Sequence, residues 1–252
     1  MAKPRFIYGF HGVNATLRHH PEDIIRIYYD SSRKDPRMQK LLQDVDDLQL
    51  SLMSADELRL FQMSGAKQHQ GIVAEVKTRA QLSFGEFLKS LDMSANPIVM
   101  LLDSITDPHN LGACFRVADA FGVSAIIVPK DNSAGVNATV VKTASGTTET
   151  VPFFTVTNLA RSMEQLKEKG FWIFGTDMTD SAKPIDQLDL KGPMAWVFGS
   201  EGKGMRQLTR QHCDFLAIIP MMGDVESLNI SVAAGVCLYE TQRQRRVLNA
   251  DN

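Results

Sequence analysis

The chain has 252 residues, 44% of them hydrophobic and 22% charged, with a formal net charge of −2. This is the composition of a folded globular protein with room for one large domain or two smaller ones. It argues against a generic polyanion binder, and no apolar run approaches the ~20 residues needed to cross a bilayer.

Met1-Ala-Lys-Pro-Arg5 is not followed by the apolar core of a signal peptide, so a cytoplasmic location is expected. Cys114, Cys213 and Cys237 are odd in number and far apart. They suit neither a disulfide framework nor a zinc site, and reduced thiols are expected. The charge is unevenly spread: residues 1–80 hold 12 Lys/Arg against 10 Asp/Glu and four of the six histidines. Any nucleic acid would therefore have to be held by local patches rather than by a global field.

In chain order, Phe6-Ile-Tyr-Gly-Phe-His-Gly-Val-Asn-Ala-Thr-Leu17 predicts a strand or turn leading into a helix. Ile24–Tyr29 is rich in β-branched and aromatic residues and predicts a strand. Met38, Leu41, Leu42 and Val45 have helical spacing within 36–46, and Ser54 with Glu57 predicts a capping box. Another strand is predicted at 71–77. Residues 79–96 turn to Gln, Ser, Gly and Asn around a weakly amphipathic helix, and predict a linker between a domain at 1–78 and one at 97–252.

From Pro97 the texture changes. Apolar runs at 98–102, 125–128, 172–175, 195–199 and 216–220 alternate with helical segments at 111–121, 159–169, 205–212 and 230–245. Strands apolar on both faces between helices mean a buried parallel sheet, so the expected class is α/β. Ligands of such sheets bind beyond the carboxyl ends of the strands. Three segments sit there: Asp107-Pro-His-Asn-Leu-Gly-Ala-Cys-Phe-Arg116, Phe198-Gly-Ser-Glu-Gly-Lys-Gly-Met205 and the stretch from Ile218 to Ala233.

The second segment resembles a phosphate loop but lacks the G-x-x-x-x-G-K-[ST] and G-x-G-x-x-G spacings, so neither a nucleoside triphosphate nor a Rossmann dinucleotide is indicated. What remains is a Gly-rich turn whose backbone could hold a flat polar ligand. In the third, Ser227 and Asn229 precede a helix, where such residues are most often caps. The loop that carries them is long for a connection, which favours a functional role. In the first, Asn110 stands at a helix start with Arg116 six residues on; the arginine is either a solvated charge or a fork for phosphate or carboxylate. His109 and His212 lack ligand-spaced companions, so no metal is expected.

Asn110-Leu-Gly-Ala-x-x-Arg116, Gly199-Ser-Glu-Gly-x-Gly-Met205 and Ile219-Pro-Met…Ser227-Leu-Asn229-Ile-Ser-Val-Ala resemble the three motifs of the SpoU/TrmH branch of the SPOUT RNA 2′-O-ribose methyltransferases. Phe6–Val13, His69-Gln-Gly-Ile-Val-Ala74 and Leu208-Thr-Arg-Gln-His-Cys-Asp214 resemble the members that act on guanosine in 23S ribosomal RNA. The resemblance covers nearly the whole chain.

It implies a C-terminal SPOUT domain with a deep trefoil knot, something sequence reasoning alone would not produce, and a smaller N-terminal L30e-like RNA-binding domain. It also implies S-adenosylmethionine as methyl donor without a metal, and transfer to the ribose 2′-hydroxyl of a guanosine in 23S rRNA or a large-subunit assembly intermediate. A homodimer is implied as well. By matched position, Gly199, Ile218, Ile219, Met221 and Leu228 are expected at the cofactor. Arg116 is expected to activate the hydroxyl, as base or as phosphate clamp, with Asn110, Glu201, Ser227 and Asn229 orienting the reactants. Lys3, Arg5, Arg18, Arg33, Lys34, Arg37 and His69 are expected RNA contacts. Lys203 and Glu226 depart from the family pattern without removing any of these residues. The rival expectations are a tRNA ribose methyltransferase of the same family and a non-catalytic RNA-binding assembly factor.

Overall fold

The computed structural model describes residues 4–78, 82–200, 202 and 204–250. It divides into two compact units: residues 1–81 with Ser145–Thr150, and residues 82–144 with 151–252.

The first unit runs β1 (Arg5–Tyr8), α1 (Gly9–His19), β2 (Ile24–Tyr29), α2 (Pro36–Asp47), β3 (Leu52–Ser54), α3 (Glu57–Ser64) and β4 (Ile72–Val76). Its four-stranded sheet has the order β1-β4-β2-β3. The helical spacing read in 36–46 is the buried stripe of α2, where Met38, Leu41 and Val45 pack with Phe10, Val13, Ile27 and Ile72. One cap differs from expectation. Ser54 ends β3, and Asp56 caps α3 instead, its carboxylate accepting the amide of Arg59 at 2.8 Å. A carboxylate is also the better partner for a helix N-terminus.

The second unit begins with α4 (Phe84–Ser90), continues through β5 (Ile98–Leu102), α5 (Pro108–Ala120), β6 (Ala125–Pro129), α6 (Ala138–Ala144), β7 (Phe153–Val156), α7 (Leu159–Glu168), β8 (Trp172–Thr176), β9 (Lys183–Pro184), β10 (Met194–Phe198), α8 (Gln207–Gln211) and β11 (Phe215–Ile218), and ends in α9 (Ile230–Ala250). The expected linker is corrected here. Residues 84–95 are not a free connection, because Ser83 and Glu86 form a capping box and α4 buries Phe87 and Leu88 in the core of this unit. Its apolar face is short, which is why the sequence reads as weakly amphipathic.

All seven strands of this unit pair in parallel, in the order β7-β6-β5-β10-β8-β11-β9. Alternate residues of β5 serve opposite cores. Ile98, Met100 and Leu102 pack with α5 and α9, whereas Val99 and Leu101 pack with α4 and α7. Helices on both faces explain why this strand has no polar face at all. A buried polar contact fixes the last helix: the Trp196 indole N–H donates to Thr241 Oγ1 at 3.1 Å, and both side chains are fully buried.

Candidate active site

The carboxyl ends of the adjacent strands β10, β8 and β11 open into a cavity of about 310 Å³ within the second unit. Gly199, Ile218, Ile219, Met221, Ser227 and Leu228, all singled out from the sequence, line it. Sequence reasoning missed Thr176, Asp177 and Met178 at the end of β8, and Arg210 on α8, which line it too. Their only signal was the ending of an apolar strand, since nothing in the local spacing of 176–178 marks them.

The loop after β10 is pinned to itself. Ser200 N donates to Gly204 O at 3.1 Å and Gly204 N to Ser200 O at 2.9 Å. A Cβ on Gly199 would lie 2.2 Å from Gly204 C and 2.3 Å from Met205 N, so no other residue fits without moving backbone. Gly202 and Gly204 have φ of 78° and 65°, the left-handed region that glycine enters freely. Glu201, expected to orient the reactants, and Lys203 of the same loop lie outside the described residues.

The exit of this loop is held from β5. Asp103, fully buried just past that strand, accepts Arg206 N at 2.9 Å and Arg206 Nε at 2.7 Å, with a second guanidinium contact at 2.6 Å. Asp103 N in turn donates to Phe198 O at 2.8 Å. The carboxylate thus connects two segments 103 positions apart, a link that no sequence window displays.

Segments one and three meet directly. Asn229 Nδ2 donates to Asn110 Oδ1 at 2.8 Å, while Asn229 Oδ1 accepts Ser231 N at 2.9 Å and Ser231 Oγ at 2.7 Å. Asn229 is therefore both the cap of α9 and a partner of Asn110, and its neighbours Leu228 and Ile230 line the cavity. Asn110 sits in the first turn of α5, which Asp107 caps. Gly112 has a packing role: a Cβ there would meet Thr143 Cβ at 2.6 Å, so glycine lets α5 and α6 approach closely. Arg116 is exposed on α5, does not line the cavity, and has no hydrogen-bond or ion-pair partner among the described residues.

The cavity's volume is at the lower end of the roughly 300–1,000 Å³ common for small-molecule sites. The walls combine apolar faces (Phe198, Leu228, Ile230), strand-end and loop backbone, and the charged side chains of Asp177, Arg210 and Glu226. Burial pushes the Cys213 thiol up to about 12.

In the first unit the expected RNA contacts separate. Arg5 is ion-paired with Glu149, and Arg33 with Asp35 at 2.7 Å. Arg37 lies 4.5 Å over the Phe10 ring, with Nη2 3.3 Å from His11 Nε2. Arg18 and Lys34 are exposed and, among the described residues, without a side-chain partner. His69 corrects expectation. It is 5% exposed and its Nδ1 accepts Gly71 N at 3.1 Å, so it shapes the loop before β4 rather than offering an edge to RNA. Lys3 lies outside the described residues.

Comparison with known proteins gives the family. Residues 97–239 match the SpoU rRNA Methylase family, and residues 6–82 match the RNA 2′-O ribose methyltransferase substrate binding family. The chain is 48% identical over 251 residues (99% of it and 100% of the relative) to the 23S rRNA (guanosine-2′-O-)-methyltransferase RlmB of Ralstonia nicotianae. It is 49% identical to RlmB of Pseudomonas aeruginosa, over 96% of this chain and 97% of that one. The SpoU methyltransferase AviRb of Streptomyces viridochromogenes, solved in complex with the cofactor AdoMet, shares the fold at TM-score 0.74 and 23% identity, covering 96% of this chain and 90% of that one. The chain belongs to the SpoU methyltransferase family.

Proposed function

We propose that this protein transfers the methyl group of S-adenosylmethionine to the ribose 2′-hydroxyl of a guanosine in 23S rRNA. The observation that carries the reading is the convergence of Gly199, Ile218, Ile219, Met221, Ser227 and Leu228 on one cavity at the strand ends. Relatives 48% identical over nearly the full chain, named for this reaction, support the substrate.

The donor brings a methyl group on a sulfonium, whose leaving group is a neutral thioether. The chain contributes position. Backbone at Gly199 and Ile219 and the Leu228 side chain hold the nucleoside end, and the Asn110–Asn229 pair fixes the approach of α5 to the cavity. Near-attack alignment of this kind is worth on the order of 7–11 kcal/mol in the best cases. The 2′-hydroxyl oxygen bonds to the methyl carbon as the carbon–sulfur bond breaks, and the hydroxyl proton leaves. Arg116 brings a planar fork of hydrogen-bond donors suited to phosphate. Its part is to clamp the adjoining phosphate and lower the cost of alkoxide character, with the proton passing to phosphate or water. Ser227 and Glu201 orient the ribose.

The first unit is the RNA-reading module, with Arg18, Lys34 and Arg37 its phosphate contacts. The trefoil knot that the family resemblance implies would involve the loop from β11 to α9, which lines the same cavity as the Gly199 loop. The protein works as a homodimer. Val232, Val236 and Tyr239, exposed at helical spacing on α9, supply an apolar stripe suited to a second copy.

The test is incubation with labelled S-adenosylmethionine and separate 23S rRNA and tRNA transcripts, followed by digestion to nucleosides. Label in 2′-O-methylguanosine from 23S rRNA alone is the expected result. Label in tRNA would reassign the substrate, and a protein that binds no donor would be a non-catalytic RNA binder.

A further inference from the structure

The cavity has one polar corner that the three motifs do not explain. Asp177, at the end of β8, and Arg210, on α8, form an ion pair on its wall. The Asp177 side chain is 12% exposed and that of Arg210 38%. Asp177 is held by backbone: its Oδ1 accepts Met178 N at 2.8 Å, and its amide donates to Ala217 O at 3.0 Å. The carboxylate is thus fixed between the ends of β8 and β11, while the guanidinium across from it is more open to solvent.

We infer that the Asp177–Arg210 pair is the subsite for the amino-acid end of the methyl donor. The inference rests on the proposed reading of the cavity as the S-adenosylmethionine site. That end is a zwitterion, an α-ammonium beside an α-carboxylate. Asp177 offers the acceptor for the first, and Arg210 the planar fork for the second. The adenine and ribose need flat apolar walls and backbone groups, which Phe198, Ile218, Leu228 and the Gly199 loop provide without charge. Paired, the two side chains neutralise each other, so neither is left as a partly buried lone charge. On binding, each exchanges or shares its partner with the opposite charge of the tail. Charge balance holds at every stage, and specificity comes from the order of the two charges along the wall.

The experiment measures dissociation constants by calorimetry for S-adenosylmethionine, S-adenosylhomocysteine and 5′-methylthioadenosine, which keeps the nucleoside and sulfur but lacks the tail. Full-length protein is compared with Asp177→Asn, Arg210→Gln and Arg210→Lys. The native protein is expected to prefer both tailed ligands. In Asp177→Asn and Arg210→Gln that preference should fall about tenfold, the scale of one charge-assisted hydrogen bond. Arg210→Lys should lose less, because it keeps the charge and lacks only the fork. Affinity for 5′-methylthioadenosine should stay within about twofold in every variant, which also reports an intact cavity.

Equal losses for tailed and tailless ligands would overturn the inference, because Asp177 would then serve the ribose diol or the shape of the cavity. An unchanged preference would overturn it too, making the pair purely structural. If the native protein binds none of the three, the reading of the cavity itself falls, and the subsite with it.

Discussion

Asn229 uses both ends of one amide: its Nδ2 holds Asn110 Oδ1 at 2.8 Å and its Oδ1 caps α9 through Ser231 N at 2.9 Å. The two duties separate by substitution. Asn229→Asp keeps an acceptor at a helix N-terminus, where a negative charge is favourable by about 0.3–1 kcal/mol, but it cannot donate to Asn110. Its melting temperature should stay near that of the native protein while methyl transfer falls about tenfold, ~1.4 kcal/mol of barrier. Asn229→Ala should lose both, with about 1 kcal/mol of stability. Thermal melts and single-turnover rates on the same samples decide it, and a fully active Asn229→Asp would remove the Asn110 contact from the mechanism.

At Gly199, alanine places a Cβ 2.2 Å from backbone. The Gly199 loop must shift, so S-adenosylmethionine affinity should fall by at least about a hundredfold, ~2.7 kcal/mol. The far-UV circular dichroism should be preserved, because the strand itself ends at Phe198. Donor binding at native strength would show that the loop has slack the geometry denies.

Arg116 lies off the cavity. Arg116→Ala should therefore leave the donor dissociation constant within about twofold while lowering the single-turnover rate by about 10²-fold or more, the scale of a lost charge-stabilising group. Arg116→Lys should recover part of the rate, as a point charge without the fork. A parallel loss of donor affinity would place this arginine at the cofactor instead.

Burial raises the Cys213 thiol from 9.0 to about 12. The native protein keeps this proton while the unfolded chain releases it near pH 9. The linked stability is thus fully present below pH ~9 and is lost as pH rises from there toward 12. At pH 8 Cys213 should react with a thiol reagent far more slowly than the same residue in denaturant. Mass-spectrometric mapping of the labelled cysteines checks this, and rapid labelling of Cys213 in the native state would contradict it.

In the first unit, Lys34→Ala with Arg37→Ala should weaken RNA binding across sequences and lower the salt slope by about 1–2. Filter binding at several salt concentrations reads the slope. An unchanged slope would move the RNA contact elsewhere.

The sequence made the sheet legible because burial on both faces leaves strands such as Ile98–Leu102 without a polar position. The Gly199, Ile219 and Leu228 positions were legible only through motif order, and the structure brings them to one cavity. The Asp103–Arg206 and Asp177–Arg210 pairs were not legible, because each joins segments that only the strand order makes neighbours. His69 misleads for the opposite reason. A polar side chain in a loop reads as exposed until a backbone amide is found to claim its Nδ1.

The strand order also has a temporal meaning. β10 lies between β5 and β8 yet is synthesised after both, β11 follows it, and α9 closes over Trp196 last of all. On a growing chain β5 and β8 therefore emerge before the strand that joins them, and most of the cavity lining, from Phe198 to Ala233, follows both. Such long-range insertion is slow relative to local helix formation. On the proposed reading of the cavity, donor binding awaits the finished molecule, and by mass action a donor present in excess holds that state against reopening. Occupancy of the cavity thereby reports that the C-terminal fifth of the chain has docked.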